Sequence, residues 1–335
     1  MNWLLAMSLT WIPVPQEHIR HIDLYGRRTV EASAVNAALG VMPGVPADFD
    51  RDAARERLCA IDGIEDAKLI LMLIPGNEIL LVGLKETGAP EASYRTEPSG
   101  EARLPEDIIR LYDEIQAESL NGIRKGISAE DRTDGYALSR YEPARKREQE
   151  LRDRSRAMGP LLHEVLRDSG DARHRAVAAK AIAYLPNKAE TVPSLAAAIR
   201  DSDATVRNNA IRSLMVLADW ANGREDFAVE LDFAPLITLL ESLEWTDRNK
   251  AAALLHALTL SRDSKLLSAL RSRSIPALTE MARWHSSGHA FTSTMILGRL
   301  AGLEDEQIQK ELREVKSDDT ARQRWITELA RRAHG

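Results

Sequence analysis

Residues 202–211 read Ser202-Asp203-Ala204-Thr205-Val206-Arg207-Asn208-Asn209-Ala210-Ile211, and Leu214 follows one turn later. An Asp ahead of a helix-forming run, with Val-Arg inside it, is a phrase that this chain repeats. Counterparts begin at Arg175, at Arg248 (Arg248-Asn249-Lys250-Ala251) and at His289, and a degenerate copy is Ser317-Asp318-Asp319-Thr320-Ala321-Arg322-Gln323-Arg324-Trp325-Ile326. The anchors at 175, 207, 248, 289 and 322 are 32, 41, 41 and 33 residues apart. An amphipathic run precedes each of the first four copies, and Pro160, Pro193, Pro235 and Pro276 stand where prolines open helices. Helix pairs at a period of this size predict an α-solenoid. One pair cannot bury its own apolar stripe, so neighbouring pairs must stack into a continuous core over residues 159–335. The third and fourth units are longer and predict extra loop, as at residues 222–232. The fifth, ending Arg331-Arg332-Ala333-His334-Gly335, reads as a polar cap.

With Asp before the second helix and Val-Arg within it, this pattern resembles HEAT repeats. The resemblance implies a non-enzymatic stack whose inner, second-helix wall forms a long surface for an extended partner segment. On that wall Lys180, Asn208, Arg212, Asn249 and His256 are the candidate protein-binding residues. Arg175, Arg207, Arg248 and Arg322 recur at one repeat position. They read either as an anion-binding ridge or as a structural ladder in which each Arg pairs with an Asp of the preceding turn, such as Asp171, Asp203 or Asp247. The repetition favours the ladder.

Upstream, residues 17–87 alternate strand and helix signals. Ile19, Ile22 and Leu24 form a short strand ending at Tyr25-Gly26, and Thr29 is placed to cap a helix carrying Val35 and Leu39. Asp50 is placed to cap a second helix, with Gly63 as its C-terminal stop. Apolar runs at 67–74 and 79–84, split by Pro75-Gly76-Asn77, predict a β-hairpin. The order is βααββ. Ile19-x-x-Ile22-x-Leu24-x-Gly26, Leu58-x-x-Ile61-x-Gly63-Ile64 and the closing Lys85-Glu86 together resemble a POTRA domain. That resemblance implies a non-catalytic docking module on the extracytoplasmic side of a bacterial membrane, one that adds a partner's strand to its sheet edge. Lys68, Ile70 and Met72 on the hairpin's first strand are the residues placed there. The fold class is therefore an α+β POTRA-like domain followed by an all-α HEAT-like solenoid. The combination also resembles a group of uncharacterised bacterial HEAT-repeat proteins sharing the Glu130-Asp131 to Gly135 turn and the Arg207 to Ala210 phrase.

Between the two lies a connector, residues 88–158. Its Pro90, Pro98, Gly100 and Pro105 read as a linker that sets how freely the halves move. A helix follows from Glu106, with Ile108, Leu111, Tyr112, Ile115 and Leu120 as its apolar stripe, then the polar 127–138 turn and a charged helix with a solvated face over 145–156. Residues 3–12 (WLLAMSLTWI) are apolar over the length of a signal-peptide core, although residues 2–16 hold no Lys or Arg. The expectation is export to a periplasmic or extracytoplasmic setting; a packed N-terminal segment is the alternative, and without a signal the setting is cytoplasmic.

Composition narrows the chemistry. The chain has 335 residues, 45 basic and 51 acidic, for a net charge of −6. A dedicated nucleic-acid binder shows a basic excess, and no nucleic-acid partner is expected. A single cysteine, Cys59, excludes an internal disulfide and a cysteine-based zinc site. Phosphate-loop, dinucleotide and nucleophile-elbow motifs are missing, and His163-Glu164 lacks the second His of a metalloprotease helix. The acidic turn Glu130, Asp131, Asp134, Gly135 fails calcium-loop spacing and reads as a turn with Asx-type bonds. Trp220, Trp245, Trp284 and Trp325 are assigned to packing between units. No catalytic residue, metal or cofactor is assigned; the expected partner is another protein or peptide segment. The alternatives are a HEAT-scaffold enzyme, for which His256, Glu280 and His289 would converge in a cleft, and a nucleic-acid binder.

Overall fold

The computed structural model describes residues 17–74 and 76–335, and the apolar segment at 3–12 lies outside them. Two compact units divide the chain, Met1–Thr87 and Gly88–Gly335.

The first unit runs β1 (His21–Tyr25), α1 (Ala32–Leu39), α2 (Arg51–Cys59), β2 (Ile64–Ile74) and β3 (Asn77–Glu86). Its sheet order is β1-β3-β2, with β1 parallel and β2 antiparallel to β3. A parallel pair requires a crossover, and α1 and α2 supply it. Ile19, Val35, Leu39, Ala54 and Leu58 close over Leu80, Val82 and Leu84 of β3 in one apolar core. Asp50 caps α2 as expected, accepting from the Ala53 N–H at 3.0 Å. Thr29 does not cap α1. That helix starts at Ala32, and Thr29 instead donates both its N–H and its hydroxyl to the Glu86 carboxylate. Glu86 also accepts from the N–H groups of Arg28 and Val30. A buried carboxylate with four donors binds the turn after β1 to the end of β3 more strongly than a threonine cap could. Burial works to raise this carboxyl, and those hydrogen bonds outweigh it and hold it below the usual range. Gly63 likewise lies beyond the α2 terminus, at φ 88°, and turns the chain into β2. At Gly83 a Cβ would lie 2.4 Å from the Tyr25 ring, so only glycine lets that side chain cross β3.

The second unit opens with an extended segment and continues through α3 (Glu106–Arg124), β4 (Glu130–Asp131), β5 (Leu138–Ser139) and α4 (Glu142–Ala157). Helix pairs follow: α5 (Gly159–Asp168) with α6 (Ala172–Ala181), α7 (Lys188–Ala198) with α8 (Ala204–Ala221), and α9 (Ala234–Leu239) with α10 (Trp245–Leu258). An inserted α11 (Ser264–Arg273) precedes α12 (Ile275–Ala282) and α13 (Ser287–Leu300), and α14 (Asp305–Val315) with α15 (Asp319–His334) ends the chain. The second helices α6, α8, α10, α13 and α15 pack in succession into one layer. They are sheathed by neighbours on several sides, so α6, whose sequence ARHRAVAAKA is rich in small alanines, is buried nearly all round.

Three further expectations change. Pro193 lies inside α7, which starts five residues earlier at Lys188, while Pro160, Pro235 and Pro276 do open their helices. Leu120 leaves the apolar stripe of α3 and is exposed. The 88–105 stretch is not a free linker along its length. The Arg95 N–H bonds the Arg200 carbonyl at 2.7 Å, and Gly100 exchanges backbone bonds with Asp168 and Gly170 at 2.8 Å. From Tyr94 onward it is a strap laid along the repeats.

Candidate functional site

The repeated arginines form a ladder, with a different pairing rule from the one the sequence suggests. Asp171 and Asp203 do not pair with Arg175 and Arg207; they cap α6 and α8, each accepting two backbone N–H groups. The rungs run forward to the next unit. Arg175 meets Asp201 through two bonds of 3.0 and 2.9 Å, and Arg207 meets Asp247 through two bonds of 2.9 and 2.7 Å. Arg248 meets Glu280 at 2.9 Å. Each also donates to a carbonyl of the loop behind it: Arg175 to Ser169, Arg207 to Asp201 and Arg248 to Ser242. All three arginines are sealed from solvent, so they serve as inter-repeat ties and leave no anion-binding ridge. Arg322 breaks the pattern: it donates to the carbonyls of Ala282, Arg283 and Trp284 and pairs with Asp319. The strap closes the ladder from outside. Tyr94 stacks over the Arg207 guanidinium at 4.1 Å, and Arg95 adds a second guanidinium to Asp201.

On the second-helix layer the structure engages Lys180, Asn208, Arg212 and His256 of the five expected binding residues in internal contacts and buries the fifth, Asn249. Lys180 donates to Glu148 of α4 at 3.3 Å. Arg212 pairs with Glu130 of β4. Asn249 is buried, and Asn208 donates to the side chain of Asn209. Asn209 reaches both the Tyr112 hydroxyl of α3 and the Ala176 carbonyl, each at 2.9 Å. The wall of the first two units is therefore met by the chain's own connector. What made Lys180 and Arg212 look available is what holds the connector: cations on one helix face attract carboxylates. The expected solvated face of α4 is interrupted at Glu148, which is buried and also accepts the Ser139 N–H at 2.6 Å. No pattern in the sequence announced this docking, because its charges come from a helix and a turn strand 32 and 82 residues away.

The acidic turn is the part of the connector that reaches α8. Asp131 takes the Thr133 hydroxyl at 2.8 Å and N–H at 3.2 Å, with Arg145 at 3.1 Å; these contacts hold its carboxyl down to about 2. That is the Asx-type turn expected. Glu130 bridges Arg212 and Arg132, and Arg132 reaches Asp219 of α8 at 2.9 Å. Gly135, at φ 73°, sits where a Cβ would be 3.1 Å from the Trp220 ring.

Further along the layer, α10 and α13 carry half-buried Lys250, Ala253, His256 and Thr292. Burial and the neighbouring Arg299 guanidinium push His256 down to about 4, and burial with Lys250 does the same to His289. His256 lies beside Arg299 and the Phe291 ring, His289 is bonded to Ser286 at 2.6 Å and packs on Trp245, and Glu280 is the partner of Arg248. Each of the three thus occupies a separate contact. Among the described residues no group of three or more His, Cys, Asp or Glu is arranged to hold a metal ion. Trp245 and Trp284 pack across units three and four, Trp220 meets Phe227 and Arg224 within its own unit, and Trp325 donates to Glu311 at 2.8 Å. Cys59 is half-buried against the core of the first unit.

Between α5 and α7 lies a cavity of about 540 Å³ lined by Arg95, His163, Arg167, Glu190, Pro193 and Ser194, among others. His163 and Ser194 are hydrogen-bonded at 2.7 Å, a pairing that a nucleophile and its base would share. Acyl transfer also requires donors aimed at a developing oxyanion. Arg95, a half-buried cation of this cavity, already spends its guanidinium on Asp201 and on the carbonyls of Leu166 and Arg167. The pair is best understood as a tie between the two first helices.

In the first unit, Lys68, Ile70 and Met72 lie half-buried on β2, at one edge of the described sheet. Their register opposite Gly83, Leu81 and Ile79 sets them on the sheet face turned away from the core residues Leu80, Val82 and Leu84.

Among the described residues no helix is long and apolar enough to cross a membrane. No curated protein matches the chain. The HEAT repeats family matches residues 159–228, which hold the first two helix pairs and the first rung of the ladder, and with the mostly helical C-terminal unit this match fits a HEAT solenoid.

Proposed function

We propose that this protein is a non-catalytic docking protein of the bacterial cell envelope, with its second-helix layer as the main binding wall and the β2 edge of a POTRA-like head as a second surface. HEAT repeats generally mediate protein–protein interaction, and residues 159–228 match them. The observation that carries the reading is the division of the wall. Its first two helices receive the connector, while Lys250, Ala253, His256 and Thr292 on α10 and α13 remain partly open to solvent. A layer of stacked helices offers such a surface without moving parts. The βααββ order and the edge position of β2 support the second surface, since an edge strand can accept an added one. An extracytoplasmic setting follows from the same POTRA-like reading.

The test places a photo-crosslinking amino acid at Ala253, Thr292 or Ile70 in the full-length protein and irradiates it in envelope and cytosolic fractions. A discrete protein adduct at 253 and 292, absent from a control at exposed Lys265 on α11, is the expected outcome. No adduct at any of the three positions overturns the proposal.

A further inference from the structure

The cations of the second-helix layer stand in a row. Lys180 on α6 and Arg212 on α8 hold the same repeat position, five residues after Arg175 and Arg207. Lys250 on α10 lies two residues after Arg248, one turn earlier on the same helix face. Each of the first two has a carboxylate delivered by the connector, Glu148 to Lys180 and Glu130 to Arg212. Lys250 differs. Among the described residues it makes no hydrogen bond and no ion pair, although it is half-buried and shares its surroundings with Arg212, Arg132 and Glu130. Three cations there, Arg132, Arg212 and Lys250, face two carboxylates, Glu130 and Asp219. The patch carries one positive charge more than it can neutralise.

We infer that this patch is where the partner docks, and that the partner presents an acidic segment whose Asp or Glu side chain pairs with Lys250. The inference rests on the wall reading above and adds the chemistry of the partner. The connector shows what the row accepts: side-chain carboxylates carried on a short turn and a helix. An incoming carboxylate at Lys250 continues that series onto the uncovered part of the wall. Burial and the two guanidinium groups already hold Lys250 down to about 8, so an unmatched cation at this position is costly until an anion arrives.

A fluorescein-labelled octaglutamate peptide and the full-length protein, followed by fluorescence anisotropy, test this. Saturable binding is expected, weakening as salt rises from about 50 to about 300 mM because the contact is partly exposed. Lys250→Gln should weaken it about ten-fold, Lys250→Arg should retain it, and Lys265→Gln should leave it unchanged. Loss of fold cannot mimic the first result, since Lys250→Gln removes a poorly solvated cation and its melting temperature should hold or rise. Equal binding by Lys250→Gln and the parent overturns the inference. So does binding of a labelled oligothymidylate in place of octaglutamate, which would make the patch a phosphate site. If octaglutamate fails to bind while adducts still form at 253 and 292, the acidic partner is wrong and the wall reading stands. If both fail, both fall.

Discussion

His256 and His289 are both held neutral, each lowered from 6.5 to about 4 chiefly by burial. In the unfolded chain a histidine takes up its proton near 6.5. Between these values the unfolded state binds more protons than the folded one, so stability rises with pH. The stability tied to the neutral rings is fully present above about 6.5 and is lost as pH falls toward about 4. Urea midpoints should therefore decline from pH 7 to pH 5, and the His256→Gln, His289→Gln double variant should decline less steeply. Parallel slopes for the two proteins would refute the assignment. The residue scale also shows why sequence reading found the Asp50 cap, though not Thr29 or Gly63, and failed for partners. Asp50 caps α2 through an N–H three residues away, a bond set by local geometry. Arg175 and Arg207 find their carboxylates 26 and 40 residues away, where several Asp residues compete on sequence grounds alone.

At the scale of elements, the ladder and the strap act as one device. Asp201 has no exposed surface and holds Arg175 from α6 and Arg95 from the strap. Replacing it with Asn leaves the buried Arg175 with only the exposed Glu97 carboxylate, 3.9 Å away, as counter-charge. Removing one partner of a buried pair costs about 3–5 kcal/mol. Asp201→Asn should lower the denaturation midpoint accordingly and free residues 94–104, so that limited trypsin cuts at Arg95 and Arg103 before any site in the repeats. A cleavage pattern identical to the parent would show that the strap is held by its backbone bonds alone. Helix periodicity disclosed the stripes of α3 and of the repeat helices. It could not disclose that Pro193 sits inside α7, because a proline strongly prefers the first turn and the interior position is held only by the packing of α7 against its neighbours.

For the whole molecule, the connector decides where a stable fragment can begin. Tyr112, Glu130 and Glu148 contact α8 and α6 from outside the repeats. A fragment starting at residue 159 would leave Arg212 and Lys180 without their carboxylates, take the Tyr112 hydroxyl from Asn209 and expose the wall beneath, whereas one starting at residue 88 keeps every rung, the strap and the connector. Residues 88–335 should melt cooperatively as a soluble helical protein. Residues 159–335 should melt at least about 5 °C lower, each kcal/mol being worth about 2–4 °C at this size, or aggregate. Equal melting temperatures would mean that the connector rests on the wall without stabilising it.

The sequence by itself determined the order of elements and their repetition: helix pairs recurring through Arg175, Arg207, Arg248 and His289, and a βααββ head marked by its turns. These follow from periodicity and from residues acting on neighbours a few positions away, which any linear reading contains. Only the tertiary structure decided which carboxylate each arginine meets, that the 94–104 stretch is a strap, and that half of the expected wall is already occupied. Those outcomes depend on distances closed by stacking, where a pair far apart in the chain gains its attraction only after both groups have left water together.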